Sequence, residues 1–256
     1  MRDYRIFDAH LHVIDPQFPL VPNGGYLPDP FTAEDYLERA GSIGVIGGAV
    51  VSGSFQAFDT SYLLDALKVL GPSFVGVAQL PVSVPDEEVL KLHEAGVRAV
   101  RFNLQRGGSE TLENLERLAK RVYEISGWHA ELYADSGRLV ELEGTLARLP
   151  KVSIDHLGLS GAGFRALLGL AERGARVKAT GFGRLDFEPK TAMREISGAN
   201  PDALMFGTDL PSTRARRPFR NEDMQAVVEA LGEDLAKKAL YDNAIAFYRP
   251  DENYNR

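Results

Sequence analysis

Phe7-Asp8-Ala9-His10-Leu11-His12 closes the first strand-like segment, Tyr4–His10, and the way it is read decides the fold. Histidines at i and i+2 of a strand project from the same face. The lead-in Tyr4-Arg5-Ile6-Phe7 is strand-like and the exit Val13-Ile14-Asp15-Pro16 reads as a loop, so the pair sits at the strand's C-terminal end. In parallel β/α enzymes that end is where the chemistry is built. Imidazole is the commonest protein metal ligand, and two on one face make half a metal site. The motif alone equally describes one buried histidine and one loop cap, so the rest of the chain decides.

Seven further strand-like segments follow: Val45–Ser52, Phe74–Leu80, Val97–Leu104, His129–Asp135, Val152–His156, Ala175–Thr180 and Ala203–Asp209. They recur every ~20–40 residues, the pace of successive β/α units. Near-continuous apolar runs such as Val45-Ile46-Gly47-Gly48-Ala49-Val50-Val51 suit strands buried on both faces. Helical patterns cover Thr32–Ala40, Thr60–Leu70, Asp86–Glu94, Leu112–Ser126, Gly163–Arg173 and Asp223–Leu231, with a closing helix over Asp234–Tyr248. The expectation is an α/β protein with a single (β/α)8 TIM-type barrel, residues 1–256 forming one domain. The long Pro- and Gly-rich loop Asp15–Pro30 follows the first strand and can lie across the barrel top.

Apolar residues make up 44% of the 256 and charged residues 25%, an ordinary globular balance. The absence of cysteine excludes disulfides, thiol nucleophiles and thiolate metal sites, and fits a cytoplasmic location. Met1-Arg2-Asp3-Tyr4 runs straight into a strand, leaving no room for a signal peptide. No apolar run approaches the ~20 residues of a membrane span. The net charge of −7 argues against nucleic acid as a partner, so any anion site must be a local positive cluster. The oligomeric state is not readable.

The strand ends carry an unusual set of polar groups. The first gives His10 and His12, and the fourth Arg101 and Asn103, two apart and so in phase. The fifth gives Glu131, Tyr133 and Asp135; the sixth Asp155 and His156; the seventh Lys178 and Thr180, with Arg184 just beyond; the eighth Asp209. A barrel interior is normally packed with Val, Ile and Leu. Each polar residue alone has an ordinary explanation: Arg101 can pair with an acidic neighbour and Tyr133 can be a plain barrel aromatic. Together they mark a functional end. Arg214, Arg216, Arg217 and Arg220 crowd the loop after the eighth segment. They read as a carboxylate clamp, with Arg214 foremost, or as a solvated loop answered by Glu222 and Asp223.

Asp8-Ala9-His10-Leu11-His12, Val100-Arg101-Phe102-Asn103, Trp128-His129-Ala130-Glu131-Leu132-Tyr133, Ile154-Asp155-His156-Leu157-Gly158 and Phe206-Gly207-Thr208-Asp209-Leu210-Pro211 resemble, in that order, the amidohydrolase superfamily. The chain is most similar to its amidohydrolase-2 branch, which contains 2-pyrone-4,6-dicarboxylate lactonase, sulfomuconolactone hydrolase and sugar-acid lactonases. Asn243-Ala244-Ile245-Ala246-Phe247-Tyr248 also looks like that family's closing helix. One departure matters. Metal-dependent members usually add a histidine at the end of the fifth strand, where this chain reads Leu132-Tyr133-Ala134-Asp135. His129 lies four residues earlier, roughly 13 Å along a strand, and should sit near the barrel bottom. His93, on an amphipathic helix, reads as a surface residue.

The resemblance implies a hydrolase that opens a lactone ring of a carboxylated or sugar-acid substrate with activated water. Asp209 is the candidate general base. His10, His12 and His156 polarise the carbonyl, directly or through a metal, and Tyr133 donates a hydrogen bond. Arg101, with its planar fork, is the first candidate for a substrate carboxylate, joined by Asn103, Arg184 and Arg214; the partner expected is a small anionic organic molecule. His10, His12, His156 and Asp209 can hold one divalent ion, zinc above others, with an open position, or the enzyme can work without metal. The alternatives are a zinc-dependent amidohydrolase or decarboxylase of the same superfamily, and a lactone isomerase.

Overall fold

Strong β-formers in short runs, each followed by an amphipathic stretch, produce eight parallel strands with helices between them. The structure, a computed structural model, describes residues 4–250. The strands are β1 (Ile6–Leu11), β2 (Val45–Val51), β3 (Phe74–Ala78), β4 (Val97–Asn103), β5 (His129–Tyr133), β6 (Val152–Ile154), β7 (Arg176–Ala179) and β8 (Leu204–Phe206). They pair in sequence order, every pair parallel. The chain just past β8 closes the seam against β1: the Asp209 amide donates to His10 O at 2.7 Å and the His12 amide to Leu210 O at 2.8 Å. The expected single (β/α)8 TIM-type barrel is the fold. Met1–Asp3, on which the reading of the N-terminus rests, lie outside the described residues. No helix among the described residues is long and apolar enough to cross a membrane.

The outer layer is formed by α1 (Ala33–Gly41), α2 (Ser61–Leu70), α3 (Asp86–Glu94), α4 (Leu115–Ser126), α5 (Ser136–Leu146), α6 (Phe164–Glu172), α7 (Pro189–Ala199), α8 (Asn221–Lys237) and α9 (Asn243–Tyr248). α5 and α7 go beyond the sequence reading. Asp135, read there as strand, instead caps α5 by accepting from the Gly137 amide, and Glu188 caps α7 just before Pro189. Gly232, at φ 72, breaks α8 where two separate helices were expected, and a widened turn over Lys238–Asp242 splits the closing helix.

Two apolar layers position the site. Leu11, Val50, Val100, Leu132, Ile154 and Val177 pack outward under the helices. Phe7, Ala9, Val75, Val77 and Met205 fill the lower barrel, plugged by Phe247 and Tyr248 of α9. A break in register between Asp8 and Leu11 lets Ala9 join that inner layer while His10 still reaches across the barrel to Lys178. His129 lies at the bottom as expected, its ring 4.2 Å from that of Phe247. His93 differs from its reading as a surface residue: it is half-buried and accepts from Trp128 Nε1 at 3.2 Å.

Candidate active site

Above the apolar plug lies a layer of buried charge. Lys178 from β7 contacts Glu131 at 2.5 Å, His10 Nδ1 at 3.2 Å and Asp155 at 3.6 Å. Arg101 from β4 donates to Asp155 at 2.7 Å and to Ser52 O at 2.5 Å, with its Nε 3.8 Å from Glu131. Tyr248 OH donates to Glu131 at 3.1 Å. Burial raises Glu131 to about 7 despite Lys178. Burial also works against ionised Asp155, but His10, Lys178 and Arg101 outweigh it and hold its carboxyl well below the usual range.

Asp209 and His156 stand one level higher, on backbone that leaves its strand. Both were read as strand residues, yet β6 ends at Ile154 and β8 at Phe206. His156 has φ 51 and Asp209 φ 61, left-handed conformations that cost non-glycine residues roughly 1–3 kcal/mol each. Glycines make room for His156 and for His10. A Cβ on Gly181, itself at φ +61, would stand 2.6 Å from His156 Nδ1, and one on Gly207 would stand 2.8 Å from the His10 Cβ. Asp209 Oδ2 accepts from Arg184 Nε at 2.7 Å, and Arg184 Nη2 also donates to Thr213 O at 2.8 Å. Burial opposes a charged Asp209, but Arg184 together with His156, His12 and His10 outweighs it and drives the carboxyl far below the usual range. Asp209 Oδ1 has no hydrogen-bond partner and lies 3.7 Å from His12 Nε2 and 3.9 Å from His10 Nε2.

The pocket opens over these groups. His12, Arg101, Asn103, Tyr133, His156, Arg184 and Arg214 all line it, so seven of the residues singled out in the sequence converge there, with His10 and Asp209 beneath. Arg106, Ser54 and Phe55 line it too; Phe55 opens the stretch Phe55–Asp59 that the sequence places on the same rim, whereas Arg106 and Ser54 went unnoticed there. Arg106 sits in the non-periodic turn after β4, where Asn103 Oδ1 accepts from its backbone amide at 2.9 Å. The following Gly107-Gly108 is the only sequence signal of a tight loop there. Arg214 lies 4.2 Å above the Tyr26 ring and donates to Asn23 Oδ1 at 3.0 Å and to the Asn23 carbonyl. The loop after β1 therefore does cross the barrel top. Arg217, by contrast, is bound by both oxygens of Asp223 at 2.9 and 2.7 Å, the ordinary solvated-loop pairing.

Two donor sets fit a metal by type: His10 with His12 and Asp209, and His10 with Asp155 and His156. They share His10. The second also faces the Lys178 ammonium and the Arg101 guanidinium, which a cation would have to displace. The first fits one ion. His12 Nδ1 donates to Val51 O at 2.7 Å, which turns the Nε2 lone pair inward, the usual arrangement of a ligating histidine. His10 offers an Nε2 lone pair only if its ring proton sits on Nδ1 and faces Asp155 Oδ1, 3.4 Å away, instead of Nδ1 accepting from Lys178.

The buried histidines set the pH response. Burial holds His10 and His129 well below 6.5 and takes His156 down to about 3. Unfolded, all three bind a proton as pH falls through ~6.5. Burial acts oppositely on two carboxyls, raising Glu131 to about 7 and Asp8 to about 6, so the folded chain holds those two protons first. Between about pH 6 and pH 4.5 the unfolded state therefore binds the excess, three protons against two. Stability should therefore fall on acidification across that window. Urea midpoints at pH 6 and pH 5 check this, and a midpoint that rises on acidification would contradict it.

Against known proteins, the family model described as amidohydrolase matches residues 7–249. A 2-pyrone-4,6-dicarboxylate hydrolase of Comamonas testosteroni is 28% identical over 96% of this chain and 90% of its own. A 4-sulfomuconolactone hydrolase of Hydrogenophaga intermedia is 24% identical over 93% and 86%. Among solved structures, an apo protein of Agrobacterium tumefaciens superposes with TM-score 0.85 at 21% identity, over 95% of both chains. A probable 2-pyrone-4,6-dicarboxylic acid hydrolase of Acinetobacter baumannii, with citric acid bound, gives TM-score 0.83 at 21% identity, over 95% of this chain and 99% of that one.

Proposed function

The chain belongs to the amidohydrolase family, and from that premise we propose that it hydrolyses the lactone ring of a small carboxylated substrate. The observation that carries this reading is the state of the four pocket arginines. Arg101 and Arg184 are each answered by a buried carboxylate. Arg106 and Arg214 form no ion pair among the described residues, and both line the pocket. Two unanswered guanidinium groups in a protein of net charge −7 favour an anionic ligand. The two curated relatives are named for a dicarboxylate and a sulfomuconolactone.

In this reading Arg106 and Arg214 take the substrate carboxylate and Asn103 shapes the turn that carries Arg106. The lactone carbonyl lies over His10, His12 and His156. Asp209, kept ionised by Arg184, accepts a proton from water as its oxygen attacks the carbonyl carbon. The resulting oxyanion is stabilised by the imidazoles of His10 and His156 and by Tyr133. The ring C–O bond then breaks, and the proton held by Asp209 passes to the leaving oxygen. Arg184 makes Asp209 a weak base while it holds Oδ2; a carboxylate drawing Arg184 away restores its basicity, which gives Arg184 a part in substrate binding as well. A divalent ion such as zinc, held by His10, His12 and Asp209, would add Lewis-acid polarisation of the carbonyl.

A matched pair of lactones, one with a carboxylate and one without, tests the proposal in heavy-oxygen water. The carboxylated lactone should be opened with one solvent oxygen incorporated. Arg106→Met should lower its kcat/KM by roughly 10- to 100-fold, the scale of one charged hydrogen bond, and leave the neutral lactone nearly unaffected. Product without solvent oxygen would indicate isomerisation, and equal losses on both substrates would remove the anionic-substrate reading. Elemental analysis of the same preparation should find at most one tightly held divalent ion per chain.

A further inference from the structure

Lys178 is fully buried at the centre of the barrel and no step above uses it. It joins β7 to β1 across the barrel through His10 Nδ1. An ammonium carries three hydrogens and no lone pair, so whatever it touches must accept. Its acceptors here are Glu131 Oε2 at 2.5 Å, His10 Nδ1 at 3.2 Å and, more distantly, Asp155 Oδ1 at 3.6 Å. A proton on His10 Nδ1 would point one donor at another and leave the buried ammonium short of an acceptor, the more costly of the two arrangements. The competing partner of Nδ1 is Asp155 Oδ1, which lies farther off, at 3.4 Å against 3.2 Å for Lys178, while Oδ2 of the same carboxylate receives Arg101 at 2.7 Å. On the other side of the ring, His10 Nε2 is buried and has no partner. A buried imidazole nitrogen without a partner marks a place reserved for a ligand atom.

We propose that, in the metal-free site, Lys178 is a positioning residue that fixes His10 as its Nε2–H tautomer, so that His10 presents a hydrogen-bond donor, rather than a lone pair, to the reacting carbonyl. This deepens the lactonase reading and rests on it. It makes His10 part of the oxyanion-stabilising set, opposite Asp209, and separates it in role from His12. The backbone carbonyl of Val51 gives His12 the other tautomer, with Nε2 as acceptor. Two histidines of one motif thus face the same space with opposite polarity, each assigned by a different neighbour.

The tautomers of the five histidines are readable by long-range 1H–15N correlation on labelled protein freed of metal by chelation, with His10→Asn identifying the His10 signals. In the wild type, His10 should carry its proton on Nε2. Lys178→Met alone strands Glu131 and can fail to fold, so the informative variant is Lys178→Met with Glu131→Gln, which replaces the ion pair by a neutral pair. There the His10 proton should move to Nδ1, toward Asp155. Turnover of a carboxylated lactone should fall about 10²-fold in kcat, the scale of one lost oxyanion donor, with KM little changed. A wild-type His10 protonated on Nδ1, or a double variant that keeps the Nε2–H tautomer and wild-type kcat, would overturn the proposal. If no lactone is turned over, the tautomer assignment still decides the role of Lys178, and only the lactonase reading falls.

Discussion

Asp209→Asn should reduce lactone turnover by about 10²- to 10⁴-fold, the range for loss of a general base. The amide keeps the size of the carboxylate and one oxygen for Arg184 to bond, but it cannot take a proton from water. The sequence alone predicts little change in folding. The structure alters that expectation, because Arg184 is bound by Asp209 in a nearly buried pair. Breaking such a pair outright costs about 3–5 kcal/mol, and retention of the hydrogen bonds by asparagine should keep the loss below that. Turnover should therefore be measured where circular dichroism shows the variant fully folded. Wild-type turnover in a folded Asp209→Asn variant would transfer the base to a histidine of the pocket, His12 or His156.

The second large effect is on stability. Arg101→Met should destabilise the fold by about 3–5 kcal/mol, since it leaves a buried carboxylate uncompensated. Asp155 loses its 2.7 Å partner and Glu131 a cation at 3.8 Å. A second substitution, Asp155→Asn, removes the stranded charge and should recover a large part of the loss. Chemical denaturation of the single and double variants measures both. From the sequence, Arg101 is instead the first candidate for a substrate carboxylate, predicting a selective loss of roughly 10- to 100-fold in kcat/KM on carboxylated lactones. A variant as stable as wild type that fails only on such lactones would support that role and contradict the structural one.

The contrast shows what a linear sequence can carry. Strand period and chain order place His10, His12, Tyr133, His156, Arg184 and Asp209 at one end of the barrel, because local pattern and topology suffice for that. Partnership is different. Arg101 and Asp155 are 54 residues apart, and Arg184 and Asp209 are 25 apart. Which arginine meets which carboxylate depends on side-chain reach across the barrel, and no local pattern encodes it. The three-residue strands β6 and β8 explain another difference: His156 and Asp209 are set by left-handed turns beyond the strands, where alternation no longer applies. Arg106 was missed for the same reason, being in a turn with no period. The helices α5 and α7 were legible only through their caps, Asp135 and the Glu188-Pro189 pair.

The division of labour between strand and loop has a consequence for how such a protein changes over time. Lys178, Glu131, Arg101 and His10 are carried by four different strands and bonded to one another, so altering any one disturbs the rest. Arg106 and Arg214 ride on separate connections, and Asn23 and Tyr26 on a third. Those three segments can lengthen, shorten or swap residues without entering the strand layer, as surface connections generally do. Descendants of one ancestor can accordingly diverge in which acid they accept while inheriting the same way of breaking the bond. A library confined to residues 15–30, 104–110 and 212–220 would sample new substrates at small risk to the barrel, whereas one that includes the strands would yield mostly chains that do not fold.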